Sequence, residues 1–147
     1  MNVLDVLKDD HATVERLFST ILATSATDLG RRNQLFDALK EAILKHAHAE
    51  EAVFYPALRD RQPAHDMVEH GIGEHHAVAG LLARMNGIPA DSDDWIDTLG
   101  TIREKLLDHV REEEGDIFPK ARQLLGDDRL DEMARTFLSA KEHDRPH

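Results

Sequence analysis

Twice in this chain, at His46–Pro56 and at His109–Pro119, a histidine is followed four positions later by a pair of glutamates, then by an aromatic residue and a proline: H-x-x-x-E-E-x-x-x-[YF]-P. Residues four apart on a helix lie on one face, one turn or ~6 Å from each other, so each His and its first Glu can reach a common point. His46 and Glu50 prolong the apolar stripe of Leu39, Ala42 and Val53, and His109 and Glu113 that of Leu106 and Ile117. Both pairs are therefore expected to point inward. A weaker echo precedes each motif: His11-Ala-Thr-Val14 with Leu17-Phe18 matches His75-His-Ala-Val78 with Leu81-Leu82. The chain reads as two similar helical hairpins, each sending polar groups to a shared axis.

The remaining periodicity fits that plan. Leu4, Leu7, Val14, Phe18 and Ile21 recur at helical spacing over Val3–Thr24. The polar run Thr24–Gly30 separates them from a longer second helix marked by Leu35, Leu39, Ala42, Val53 and Ala57, which Pro63 ends. Asp66 is a cap for a third helix with Val68, Val78, Leu82 and Met85 on one face, stopped by Gly87 and Pro89. Asp91–Asp94 cap a fourth, from Trp95 through Leu124 to Gly126. No strand-like alternation occurs. The expectation is an all-α, antiparallel up-down four-helix bundle over residues 1–126. Residues 127–147 are expected to add a short fifth helix, about Asp128 to Lys141, and a loose tail from His143 to His147. Leu130, Met133 and Phe137 could serve there as a bundle cap or a dimer contact.

Composition narrows the chemistry. With 147 residues, one core is expected. The chain has no cysteine, which removes disulfides, thiolate nucleophiles, iron–sulfur clusters and cysteine-held zinc. Any metal must sit on imidazole and carboxylate. A net charge of −11, with basic residues scattered among acids, disfavours nucleic acid and anionic membranes as partners. No apolar run approaches the ~20 residues of a spanning helix. The N-terminus lacks the plan of a secretory signal, so a cytoplasmic location is expected.

Burying four imidazoles and two carboxylates without partners would cost several kcal/mol for each unpaired charge. A metal cluster removes that cost. Neutral imidazoles with hard oxygens suit iron, manganese or zinc, and two carboxylates aimed between two His pairs suit a pair of ions, with iron favoured. The candidate ligands are His11, His46, Glu50, His75, His109 and Glu113. His76 competes with His75 and His48 with His46, but the repeat alignment favours the named pair. His70, in a further H-x-x-x-E with Glu74, is read as surface, though it could supply a further ligand. Glu51 and Glu114 are read as solvated more readily than as acceptors for ligand imidazoles. Pro56 and Pro119 are expected to kink their helices. Tyr55 and Phe118 are read as packing or rim residues, and Trp95 as core.

From Val3 to about Leu125 the paired H-x-x-x-E-E with its trailing proline resembles the hemerythrin or HHE cation-binding family. The resemblance implies two irons joined by an oxo or hydroxo bridge, with Glu50 and Glu113 bridging and His11, His46, His75 and His109 as terminal ligands. Oxygen-carrying hemerythrins place a further histidine one turn before the position of His75; here that residue is Gly71. The implied function is binding or turnover of a small oxidant, O2, H2O2 or NO, as sensor, scavenger or catalase-like peroxide handler. Iron storage or donation is the alternative. A monomer is expected, with a partner protein required only for a purely regulatory role.

Overall fold

The computed structural model describes residues 1–144. Asn2 and Asp5 form a reciprocal capping box, each side chain accepting the other's backbone N–H, and so open α1 (Val3–Leu22). The Asp28 side chain accepts from the Arg31 N–H and starts α2 (Leu29–Ala49), which therefore begins inside the expected linker. After a wide π-helical turn, Glu50–Phe54, the same rod continues as α3 (Tyr55–Arg59). α4 (Ala64–Met85) starts directly after Pro63. The Arg61 carbonyl takes the N–H groups of Ala64 and His65, so Asp66 lies in the first turn and is not the cap. Within Asp91–Asp94 it is Ser92 that caps α5 (Asp93–Glu112), accepting from the Trp95 N–H. A second π-turn, Glu113–Ile117, leads into α6 (Phe118–Leu125). Gly126, at φ 79°, turns the chain into α7 (Asp127–His143).

The kinks expected at Pro56 and Pro119 take the form of these two wide turns. Each proline lacks an N–H for the preceding turn, and the backbone accommodates the loss upstream: Tyr55 N–H bonds to the Glu50 carbonyl and Phe118 N–H to that of Glu113. The first residue of each wide turn is one of the two buried glutamates.

α1 packs on α2, α2 on α4, α4 on α5 and α5 back on α1, an up-down ring of four rods. The apolar interior is divided in two. One cluster joins Leu4, Leu7, Phe54, Leu58, Val68 and Phe118; the other joins Phe18, Ile21, Leu39, Val78, Leu82 and Leu99. A polar layer lies between them. Trp95 is core, as expected, and the buried Arg32 sits 5.4 Å from its ring. Arg32 also donates to the Ala90 carbonyl at 2.6 Å and to the Thr24 carbonyl at 3.1 Å, tying both interhelical loops at that end together.

α7 spans 17 residues and lies against α1, α2 and the first wide turn. Leu130 and Phe137 are fully buried in the first cluster, which settles their role as packing within the bundle; Leu138 is exposed. Of the expected tail, His143 ends α7 and Asp144 accepts from His48, while 145–147 lie outside the described residues. No helix among the described residues is long and apolar enough to cross a membrane.

Candidate metal centre

All six candidate ligands meet in the polar layer. α1 contributes His11, the end of α2 His46, α4 His75 and the end of α5 His109; Glu50 and Glu113 come from the wide turns and are 0% exposed. The imidazoles form two pairs, His11 with His46 at 5.1 Å between ring centres and His75 with His109 at 4.8 Å. Each carboxylate turns one oxygen to each pair. Glu50 Oε2 is 3.6 Å from His46 Nε2 and its Oε1 is 3.0 Å from His75 Nε2. Glu113 Oε1 is 3.2 Å from His11 Nε2 and its Oε2 is 3.2 Å from His109 Nε2. Two sets of donors result, one of His11, His46, Glu50 and Glu113, the other of His75, His109 and Glu50.

The imidazoles are oriented by a ring of carboxylates that runs round the bundle. Asp10 on α1 accepts from His46 Nδ1 at 2.8 Å, and Glu51 beside α2 accepts from His75 Nδ1 at 2.9 Å. Glu74 on α4 accepts from His109 Nδ1 at 2.8 Å, and Glu114 beyond α5 accepts from His11 Nδ1 at 2.7 Å. Each helix thus holds the histidine of the next. With Nδ1 donating to its carboxylate, each Nε2 is turned to the axis, where a metal can replace its proton. Glu51 and Glu114, read from sequence as solvated, are corrected to these anchoring roles. The second glutamate of each E-E doublet carried the signal, as did the acid immediately before His11 and before His75.

Charge concentrates here. Lys141, 2.6 Å from Asp10 Oδ1, is the one lysine or arginine among the described residues paired with any of these six carboxylates. Burial alone would lower the imidazole pKa values, but the carboxylates reverse it. Contacts with Glu113 and Glu50 push His109 up to about 11, those with Glu50 and Glu51 push His75 up to about 9, and Glu113 and Glu114 raise His11. Burial pushes Glu113 upward, yet the imidazoles of His109 and His11 beside it hold it well below the usual carboxylate range. Protons on imidazole thus compensate the negative charge in the metal-free protein. They do so incompletely: His11 Nε2, His46 Nε2, both oxygens of Glu50 and Glu113 Oε1 are buried without a hydrogen-bond partner. Orphaned imidazole nitrogens and carboxylate oxygens converging on one point are the donor set a hard-to-borderline cation takes, so the residues fit a metal.

Tyr55, read as packing, also belongs here. Its hydroxyl donates to Glu113 Oε2 at 2.6 Å and lies 3.5 Å from His109 Nε2. Burial, with the charges of Glu50 and Glu113, raises its pKa, so it remains a donor. A Cβ at Gly71 would come within 2.8 Å of this hydroxyl and 3.5 Å of His109 Cε1. The phenol thus occupies the space in front of position 71. Phe118 packs parallel to the His11 ring, 6.3 Å between centres. The competing histidines point away: His76 is exposed, and His48 faces Asp144. His70 is exposed, as expected, and meets Glu74 and Glu112. On the other side of the four imidazoles a cavity of about 60 Å³ is lined by Val14, Phe18, Ile43, Val78, Leu106 and Val110.

Comparison with known proteins follows the same lines. The profile described as hemerythrin HHE cation binding domain matches residues 2–121. A DNA nickase of Nostoc sp. is 28% identical over 141 residues, covering 96% of this chain and 39% of the nickase, so the chain spans well under half of that relative. An uncharacterized hemerythrin-like protein of Schizosaccharomyces pombe is 24% identical, covering 95% of this chain and 68% of its own length. The crystal structure of a hemerythrin HHE cation-binding domain-containing protein from Mycobacterium kansasii superposes with a TM-score of 0.85 at 24% identity, over 97% of this chain and 86% of that one. The all-helical fold is shared with it.

Proposed function

The chain belongs to the hemerythrin HHE cation-binding domain family, and we propose that it is a non-haem di-iron protein that binds or turns over a small oxidant, O2, H2O2 or NO. The observation that carries the reading is the division of one donor layer into two histidine pairs, with an oxygen of Glu50 and of Glu113 turned to each. Two irons held there by His11, His46, Glu50, His75, His109 and Glu113 would supply one-electron redox chemistry.

The protein's own groups supply the rest. Asp10, Glu51, Glu74 and Glu114 fix the tautomer and aim of the four imidazoles. Tyr55 keeps a proton at Oη and donates it to Glu113 Oε2, which fixes the orientation of that carboxylate. Val14, Phe18, Val78 and Leu106 give the neighbouring cavity of about 60 Å³ an apolar wall beside the four imidazoles, which suits a small ligand. Storage or donation of iron, the alternative, calls for ready release. Six inward donors, four of them anchored by carboxylates, favour retention. The nicking activity named for the Nostoc relative finds no support in a chain of net charge −11 without a basic stripe.

Rapid mixing of reduced, iron-loaded protein with each oxidant tests the proposal. A saturable spectral change with at least one, or peroxide loss faster than with an equal amount of free iron, is expected. No response to any of the three would overturn it.

A further inference from the structure

His70 and Glu74 lie four residues apart on α4, and Glu112 is the last residue of α5 beside them. His70 Nε2 is 3.2 Å from Glu112 Oε2 and 3.5 Å from Glu74 Oε2, and one ligand atom of each residue lies within 4.8 Å of the other two. An exposed ion pair accounts for a histidine meeting one carboxylate, and contributes little stability. Here two carboxylates from different helices close on one imidazole, a three-donor set with net negative charge that a divalent cation balances. The adjoining open depression is lined by Asp66, Asp116, His70 and Glu112, with no lysine or arginine. Its field draws cations in.

This group is joined to the buried centre by Glu74. While Oε2 faces His70, Oε1 accepts from His109 Nδ1 at 2.8 Å, and His109 Nε2 faces Glu113. One carboxylate and one imidazole ring span the distance from solvent to the polar layer. The outer donors differ from the inner ones in a way that suits capture: three protein ligands, all partly exposed, leave water on the ion and allow fast exchange, whereas the inner donors are buried and anchored.

We propose that His70, Glu74 and Glu112 form a transient divalent-cation site on the surface, from which iron passes to the buried centre alongside Glu74. This rests on reading the buried six as a two-iron centre. The site takes a small divalent transition-metal ion, ferrous iron in use.

The test compares the wild-type chain with a His70→Ala, Glu112→Gln double variant, which leaves the six buried residues and Glu74 intact. Cobalt(II) titration of metal-free protein, followed by visible absorption, counts the ions. Wild type is expected to bind tight ions and one weaker ion, and the variant the tight ions only. Uptake of limiting ferrous iron, followed by its withdrawal from a coloured chelator, is expected to be about tenfold slower in the variant, the gain typical of electrostatic capture. Final iron content is expected to be the same. Equal cobalt isotherms, or equal uptake rates, would overturn the proposal. Absence of tight cobalt in both proteins would instead overturn the buried-centre reading, and the delivery role with it.

Discussion

Glu51 and Glu114 show what a side chain one position removed from a candidate ligand can do. Each follows a bridging candidate in sequence, yet each holds an imidazole of a neighbouring helix. Removing such an anchor frees the ring to rotate and weakens the basicity of its inner nitrogen. Glu114→Ala is therefore expected to lower iron affinity about 10–100-fold, measured by chelator competition, while Glu104→Ala, remote from the centre, leaves it unchanged. Tyr55→Phe removes a hydrogen bond to a buried charged carboxylate. In metal-free protein this should cost about 1.5–3 kcal/mol by urea unfolding; an unchanged midpoint would contradict the assigned contact. The six inward residues were legible in the sequence because they interrupt apolar stripes at helical spacing, a placement with few alternatives. Their carboxylate partners were not, since a half-exposed glutamate beside a ligand looks the same whether it faces water or the next helix. Only the repetition of E-E in both hairpins, and of an acid before His11 and before His75, marks them.

At the scale of elements, the wide turns and α7 shape the centre. Both π-turns begin at a buried glutamate and precede a proline, so a local backbone requirement and a site requirement coincide. The prolines announced a disturbance, but sequence alone could not say that it would be absorbed upstream. For α7 the spacing of Leu130, Met133 and Phe137 declared an apolar face without declaring what covered it. The structure places Phe137 in the core and its ring 5.8 Å from that of His46, and sets Lys141 against Asp10, which orients the same histidine. Phe137→Ala should cost about 3–5 kcal/mol of stability in urea. Lys141→Met, which keeps the stem and removes the charge, should leave stability within about 1 kcal/mol but weaken iron binding, because Asp10 loses the partner that holds it. Equal iron affinity in Lys141→Met and wild type would contradict a role for α7 at the centre.

For the whole molecule, two apolar clusters contribute stability on either side of a layer whose charge must be balanced by protons or by metal. Without metal, His75 and His109 hold their protons up to about pH 9 and 11, whereas in the unfolded chain they lose them near 6.5. The folded state then binds more protons, so their contribution is complete below about pH 6.5 and declines as pH rises through about 9 for His75 and about 11 for His109. Urea midpoints of metal-free protein should fall from pH 6.5 upward. A His109→Gln variant should flatten the fall, and a midpoint that rises over this range would contradict the assignment. Metal competes for the same nitrogens, so iron affinity should rise with pH over that window. The bundle itself was open to reading from periodicity alone, because four long amphipathic rods joined by short loops leave little choice of topology. The measurement closest to the central claim is iron content per chain after anaerobic loading and removal of loose metal, for wild type and for Glu50→Ala, whose missing carboxylate faces both histidine pairs. Two irons per wild-type chain, with occupancy lost in the variant, is the predicted result; a wild-type chain that stays folded and retains none, or a variant that still holds two, would contradict it.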